Sequence, residues 1–431
     1  MDLFLILIGK IFSKISQALN VGSGSTWPGH IALNINKNFI KDVLKTNDQQ
    51  LTTILIAGTN GKTTTGKLIR TILEKNNKKV FQNTAGANLL NGIASALIAN
   101  ADLNGKIKKD FAIFEIDENT LPLILKEIPG PDFIVILNLF RDQLDRYGEV
   151  NTLAKKWRDA LKHLNGKTTI ILNADDPQVA FLGEKLKAKV LYFGLNPTGN
   201  EETKLQHASD STYCPNCKTK LIYSSVYFSH LGNWNCQKCS YKHPENVFTK
   251  SPLYPLVGIY NEYNINAAVL LAKNLRLSDE RISSALQNFK PAFGRQEILT
   301  IDNKQVQIFL SKNPTGLNES LKTIVDLGAE NLLLVLNDRI PDGRDVSWIW
   351  DVDFEIFATV FKKIVVAGDR VFDMGLRLKY AGFRNFQTDE NLTGAVNIAL
   401  EKTAKNETLY ILPTYSAMLE VRKILTGKKI L

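Results

Sequence analysis

Short apolar runs rich in β-branched residues recur along this chain, and stretches with helical spacing separate them. LTTILIA (51–57), FAIFEI (111–116), FIVILNL (133–139), TTIILNA (168–174) and KVLYFGL (189–195) each read as a buried strand. TTTGKLIRTILEKNN (63–77) places Leu68, Ile69, Ile72 and Leu73 on one helical face. A second set begins near residue 305 with VQIFLS and continues through NLLLVLN (331–337), KIVVAG (363–368) and TLYILP (408–413). Between the two sets, about 261–290 reads as helix and ends in PAFGRQE. Alternating strands and helices predict an α/β architecture with parallel sheets.

The chain of 431 residues is long enough for two or three domains. Its 44% hydrophobic and 22% charged content is ordinary for a globular protein. A formal charge of +10 favours anionic partners such as nucleotides, phosphates or membrane surfaces. The lysines are scattered rather than clustered, which argues against a nucleic-acid role. No segment is long and apolar enough to cross a bilayer. MDLFLILIGKIFSKISQALN carries its apolar run before its lysines and has no small-residue cleavage site, so it does not read as a signal peptide. It reads as a helix docked on the body, with a peripheral membrane contact through an amphipathic face as the sharper reading.

AGTNGKTTTG (57–66) joins the first strand to the first helix. Strand, glycine-rich turn and helix form the setting of a phosphate loop, although Ile56 stands where the usual first glycine would be and Gly58 is the nearest earlier one. Backbone N–H groups and the helix N-terminus would hold phosphates, Lys62 would neutralise them, and Thr63 would reach Mg²⁺. FEIDE places Glu115, Asp117 and Glu118 at a strand's C-terminal end, where open α/β sheets bind ligands. Glu115 is the expected magnesium ligand.

The only four cysteines form CPNC (214–217) and CQKC (236–239). Two CxxC knuckles at this distance predict a structural zinc ribbon of Cys214, Cys217, Cys236 and Cys239, rather than two disulfides or free thiols. Polar flanks at 198–212 and 240–252 make the ribbon an insertion. If zinc takes every cysteine, none is left as a nucleophile.

GTNGKTTT resembles the ATP loop of the Mur ligase superfamily, which includes folylpolyglutamate synthases and lacks the first Walker glycine. NADDP (173–177) is similar to its acidic turn, GIYNEYNINAA (258–268) to its adenine-side helix, GRQE (294–297) to its hinge, and SKNPTG (311–316) to the opening of its C-terminal domain. The cysteine ribbon, NLFRDQLDRYGE (138–149) and NDRIPDGRDVSWIWDVDFE (337–355) resemble the MurT family within it, the ligase-like subunits of lipid II isoglutaminyl synthase, whose glutaminase partner is GatD. The resemblance spans nearly the whole chain.

It implies a docking segment over 1–45, a Mur ligase central P-loop ATPase domain over 46–297 with the ribbon inserted at about 205–250, and a C-terminal Rossmann-like α/β domain over 298–431. ATP would contact Gly58, Thr59, Asn60, Gly61, Lys62, Thr63 and Thr64, with Asn261 beside the adenine and Arg295 near the phosphates. Lys312 would meet an acyl phosphate when the domains close. The implied reaction is amidation of the D-glutamate α-carboxyl of lipid II, with ammonia from a GatD-like glutaminase in a heterodimer, in cell-wall synthesis. The setting would be cytoplasmic, at the inner face of the membrane. DGRDVSWIWDVDFE reads as helix-cap packing, as a partner surface, or as the source of an acid that completes the partner's Cys–His pair. The resemblance favours the last, with Asp345 first and Asp351 second. Two departures stand out. Tyr147-Gly148 replaces the usual His-Gly, and Lys156 sits one place from the usual carbamoylated lysine, so it reads as a surface lysine. The alternative function is a stand-alone Mur-type or folate-type ligase that joins an amino acid to a carboxylate.

Overall fold

The computed structural model describes residues 2–427 apart from 19–25, 48–50, 84–85, 129, 143–148, 198–202, 204 and 207–208. Tyr147 and Gly148 lie outside the described residues. The chain opens with helices α1 (Asp2–Ala18), α2 (Trp27–Ile35) and α3 (Phe39–Asn47). The first α/β unit then runs β1 (Thr52–Ala57), α4 (Lys62–Lys75), β2 (Val80–Gln82), α5 (Leu90–Asn100), β3 (Phe111–Glu115), α6 (Leu121–Glu127), β4 (Phe133–Ile136), α7 (Val150–Leu161), β5 (Thr169–Asn173), α8 (Pro177–Leu182) and β6 (Lys189–Phe193). A hairpin, β7 (Ile222–Phe228) and β8 (Leu231–Asn235), follows, then β9 (Val247–Phe248), α9 (Ile259–Asn274) and α10 (Asp279–Leu286). The second unit runs β10 (Arg295–Ile301), β11 (Lys304–Phe309), α11 (Pro314–Asp326), β12 (Asn331–Val335), β13 (Lys363–Ala367), α12 (Val371–Tyr380), β14 (Gln387–Thr388), α13 (Leu392–Lys402), β15 (Thr408–Pro413) and α14 (Tyr415–Thr426).

The first sheet has the order β2-β3-β1-β4-β5-β6-β9, and every neighbouring pair is parallel. Its central strands are buried on both faces, which is why they read as continuous apolar runs. Ile54 and Ile56 pack toward α4 and α9, whereas Leu55 and Ala57 face the layer of α5, α6 and α7. Strand order reverses at β1, with β3 on one side and β4 on the other. The crevice at its C-terminal end is therefore the place where ligands bind in such sheets.

The second sheet has the order β10-β11-β15-β12-β13-β14, parallel except for the β10–β11 pair. Here the structure adds to the sequence reading. GRQE reads as a hinge, but Arg295 opens a strand that pairs back on β11 through a tight turn at Asp302 and Asn303, both at positive φ. DGRDVSWIWDVDFE forms two short 3-10 turns, Ser347–Asp351 and Phe354–Phe357, where the sequence suggests a loop-to-helix junction. At the N-terminus, α1 buries Leu5 and Ile6. A Cβ at its Gly9 would stand 2.9 Å from Ile98 of α5 and 3.3 Å from Pro28 of α2.

Candidate active site

The loop after β1 needs glycine at two places. Gly58 has φ +139 and a Cβ there would press on Leu137 and Asn138. Gly61 has φ +92, and its Cβ would lie 2.0 Å from Asn264 Oδ1. The absent first Walker glycine is thus balanced by Gly58, against which the β4 segment packs closely. The loop is pinned from outside: Asn60 N–H donates to Asn138 Oδ1 (2.8 Å), Asn138 Nδ2 donates to Asn60 O (3.0 Å), and Thr59 Oγ1 donates to Phe140 O. Thr65 Oγ1 donates to Asn264 Oδ1 at 3.3 Å, and Thr64 is buried in the adjoining cavity wall.

Lys62 and Thr63 open α4 and line a cleft together with Glu115, Glu118, Arg295 and Lys312. Lys62 Nζ donates to Glu118 at 2.9 Å and to the carbonyls of Gly58 and Thr59. The cation is therefore held within the loop by oxygens that phosphate oxygens could replace. Thr63 Oγ1 donates to Glu115 Oε2 at 2.8 Å, and Gln82 Nε2 donates to Glu115 Oε1 at 2.7 Å. Burial pushes the Glu115 carboxyl up, against the hydrogen bond from Thr63 and the charge of Arg295. A hydroxyl and a carboxylate oxygen at this separation are close to two adjacent ligands of an octahedral Mg²⁺, which stand about 3.0 Å apart when each bond is about 2.1 Å.

The opposite wall comes from the second unit. Arg295 is pushed down by burial and drawn up by Glu115. Lys312 Nζ contacts Asp142 Oδ2 at 2.5 Å; burial alone would lower its pKa, but Asp142 and Glu118 leave it raised, so it stays a cation. Asp142 Oδ1 is buried with no hydrogen-bond partner among the described residues. Asn60 and Asn313 exchange side-chain hydrogen bonds at 3.0 and 3.3 Å across the two units. Behind this cleft an adjoining cavity is lined by Asn261, Asn264, Tyr260, Phe140, Phe228 and Glu319. Asn261 Nδ2 donates to Val257 O, which fixes its amide at the cavity wall.

The structure thus brings Thr59 through Thr64, Glu115, Asn261, Arg295 and Lys312 into one cleft system, with Gly58 behind the loop against Leu137. Asp345 lies apart from it: its carboxylate is exposed and accepts from Ser347 N–H at 2.8 Å. Asp351 is half-buried and pairs with Arg141 at 2.9 Å; Arg141 also holds Asp210 at 2.6 Å. Lys156 is exposed on α7, as its reading as a surface lysine expects. The sequence reading misses Asn138, Asn264 and Asn313, because asparagine carries no signal of its own until a long-range partner is known.

The acidic turn has a role that the sequence does not assign. Asp175 is fully buried and accepts from Tyr263 Oη (2.7 Å) and Leu195 N–H (2.9 Å), and it pairs with His243 Nε2 (2.7 Å). Asp176 caps α8 and accepts from Leu139 N–H. The pair ties the inserted hairpin to α9 and to the β4 loop. In that insertion the ligand atoms of Cys214, Cys217, Cys236 and Cys239 all lie within 4.8 Å of one another, with Cys214–Cys239 and Cys217–Cys236 contacts of 3.6 and 3.4 Å. Four thiolates bound tetrahedrally at about 2.3 Å stand about 3.8 Å apart, so the cluster fits zinc. Hydrogen bonding with Thr219 holds the Cys217 thiol down at about 6 and the Tyr241 backbone lowers Cys239, whereas burial pushes the Cys214 thiol up to about 12.

Comparison with known proteins agrees with this geometry. The Mur ligase middle domain matches residues 56–272, and the MurT ligase C-terminal family matches residues 310–418. The chain is 33% identical over 394 residues to the lipid II isoglutaminyl synthase (glutamine-hydrolyzing) subunit MurT of Staphylococcus aureus strain COL, covering 87% of each chain. It is 32% identical over 434 residues to the subunit of that name from Streptococcus pneumoniae, covering 95% of this chain and 94% of that one. In fold it is similar to a pseudomurein peptide ligase type C from Methanothermus fervidus (TM-score 0.64, 21% identity, 90% and 81% of the two chains). It is also similar to MurF ligase from Thermotoga maritima in complex with ADP (TM-score 0.62, 12% identity, 90% and 82%). Mur ligases use ATP and Mg²⁺, and the cleft carries donors for both. The chain belongs to the MurT family of Mur ligases, and it is an ATP-dependent ligase.

Proposed function

We propose that this chain activates the α-carboxylate of the D-glutamate in the lipid II stem peptide and amidates it with ammonia made by a GatD-like glutaminase. One observation carries the split between two proteins. All four cysteines of the chain are drawn into one metal-like cluster, so no thiol is left to open glutamine. The relatives are named as subunits of a glutamine-hydrolyzing synthase, which agrees with a partner that supplies the nitrogen.

The cleft supports the chemistry in order. A carboxylate oxygen attacks the γ-phosphorus of ATP, the bond to the bridging oxygen breaks, and ADP leaves. Lys62 and Arg295 neutralise the charge that spreads over the transferring group, and Thr63 and Glu115 would hold a magnesium ion that would supply further positive charge there. The product is an acyl phosphate. The ammonia lone pair adds to its acyl carbon, the carbon–oxygen bond to the phosphate breaks, phosphate departs with that bridging oxygen, and the nitrogen loses a proton. Lys312, held as a cation beside Asp142, meets that departing phosphate in this reading.

Asp345 serves the partner in this reading. Its carboxyl is held below the usual range by Ser347, so it remains ionised as an acid that orients a histidine must. Asp351 is already committed to Arg141.

The test uses the purified chain with lipid II, ATP, Mg²⁺ and ammonium salt, and reads the stem peptide by mass spectrometry. A carboxyl-to-carboxamide change is the expected result. Adding the glutaminase with glutamine should replace ammonium, and Asp345→Asn should abolish the glutamine-driven reaction while sparing the ammonium-driven one. No amide from either nitrogen source, together with condensation of a free amino acid, would overturn the proposal.

A further inference from the structure

The cysteine ribbon is a separate module in sequence, yet its hairpin reaches the nucleotide cavity. Phe228 ends β7, Leu231 begins β8, and both line the same cavity as Asn261 and Asn264. The two residues between them make the tight turn, with Ser229 at φ +51. The Phe228 ring stands 6.0 Å from Phe140 and edge-on to Tyr263 at 5.6 Å. His230 is fully buried against Phe140 at 5.0 Å; its Nε2 lies 3.4 Å from Asp176 without hydrogen-bond alignment. Phe140 in turn is bonded through its backbone to Thr59 of the phosphate loop. The hairpin tip is thus wedged between the phosphate loop and α9.

The other end of the hairpin is the metal cluster. Cys236 directly follows β8, and Cys214 and Cys217 precede β7. Between cluster and tip, the hairpin is fastened to the body by Gly232 N–H donating to Asp175 O (3.0 Å) and by Trp234 Nε1 donating to Ala174 O (3.2 Å). Of the two ends of this short rod, one is built to be held by four thiolates and the other forms an apolar wall of the cavity.

We infer that the ribbon hairpin is the base-side wall of the ATP pocket, with Phe228 and Leu231 packing against the purine, so that metal in the ribbon sets nucleotide affinity. A purine offers a flat apolar face and a polar edge. The hairpin tip supplies the surface for the face, and the Asn261 and Asn264 amides supply partners for the edge. The phosphates are held elsewhere, by Lys62 and Thr63, so the direct contact of the hairpin tip is with the base. The inference rests on ATP as the nucleotide and does not depend on the amidation.

The experiment measures binding to the full-length chain by calorimetry, with ATP and with tripolyphosphate, which has the phosphates and no base. Phe228→Ala should weaken ATP about 10-fold or more, the scale of one lost base-stacking contact, and leave tripolyphosphate within about twofold. Phe228→Tyr should restore most of the ATP affinity. Removing the ribbon metal with a chelator, verified by metal analysis, should act like Phe228→Ala and be reversed by added zinc. Equal weakening of both ligands by Phe228→Ala would mean a general loss of structure and would overturn the inference. Unchanged ATP affinity in the variant would overturn the base wall, and unchanged affinity in metal-stripped protein would overturn the coupling. None of these readings needs turnover, so failure here and failure of the amidation stay distinguishable.

Discussion

Glu319 is tuned by the cleft it lines. It sits buried on α11, 3.2 Å from Lys322 and 3.4 Å from Gln206. Burial pushes its carboxyl above the usual range in spite of Lys322. A carboxyl whose folded pKa exceeds its unfolded value binds its proton more tightly in the folded chain. The stability this gives is present below the unfolded value of about 4.3 and is lost as pH rises through the raised folded value. Glu319→Gln cannot ionise, so the nucleotide-free variant should melt progressively higher than the parent as pH increases from about 4.5 to 8. Parallel melting curves across that range would show that the carboxylate carries no burial cost. Side chains of this kind mark the limit of sequence reading. Lys62 and Thr63 are legible because a local pattern of strand, glycine turn and helix names their chemistry. Asn60 and Asn313 meet across 253 positions, and only the fold reveals the pair.

At the scale of elements, α12 carries an unusual outer face. Phe372, Leu376 and Tyr380 recur every fourth residue and are all exposed, Tyr380 by 72%. Tyr380 meets Trp350 edge-on at 5.7 Å, and Trp350 belongs to the 3-10 turn that begins two residues after Asp345. Arg377 fixes the two elements together through Ile349 O, Val352 O and Glu355. Exposed aromatic residues on a helix packed against the turn that follows Asp345 suit a docking surface for the proposed glutaminase. Phe372→Asp with Tyr380→Ala should weaken the glutaminase complex at least ~100-fold and leave amidation from ammonium salt intact. A complex of unchanged affinity would move the interface elsewhere. Strands of the central sheets are legible as elements because burial on both faces makes them continuous apolar runs. The β10–β11 hairpin is less so: its outer residues alternate with exposed ones, and its turn uses Asp302 and Asn303 rather than a glycine.

For the molecule as a whole, the lipid-linked substrate of the proposed reaction requires the cleft to work beside a membrane. Among the described residues no helix is long and apolar enough to cross one. The N-terminal helix offers a different contact. Leu5, Ile6 and Gly9 of α1 face the body, while Leu3, Phe4, Leu7, Ile11 and Phe12 are exposed, Phe4 by 62%. Leu3 adjoins Gly105 of the loop at 102–109, which adds exposed Leu103 together with Lys106 and Lys108. An apolar face rimmed by lysines fits an anionic bilayer surface. It also lies on the side of α5, whose first turn follows Asn88 and Leu89 of the candidate cleft. Burying each such side chain is worth about 1.5–3 kcal/mol. Phe4→Asp with Leu7→Asp should therefore lower partitioning onto phosphatidylglycerol vesicles by more than ~100-fold. Added salt should weaken the parent's binding, and neutral phosphatidylcholine vesicles should hold it less. Turnover of a water-soluble stem peptide should be unaffected, because Phe4 and Leu7 do not line the cleft that holds Lys62 and Glu115. Undiminished vesicle binding by the variant would remove α1 from the membrane surface. A parent that dimerises through this face, and loses the dimer in the variant, would assign it to a second copy of the chain.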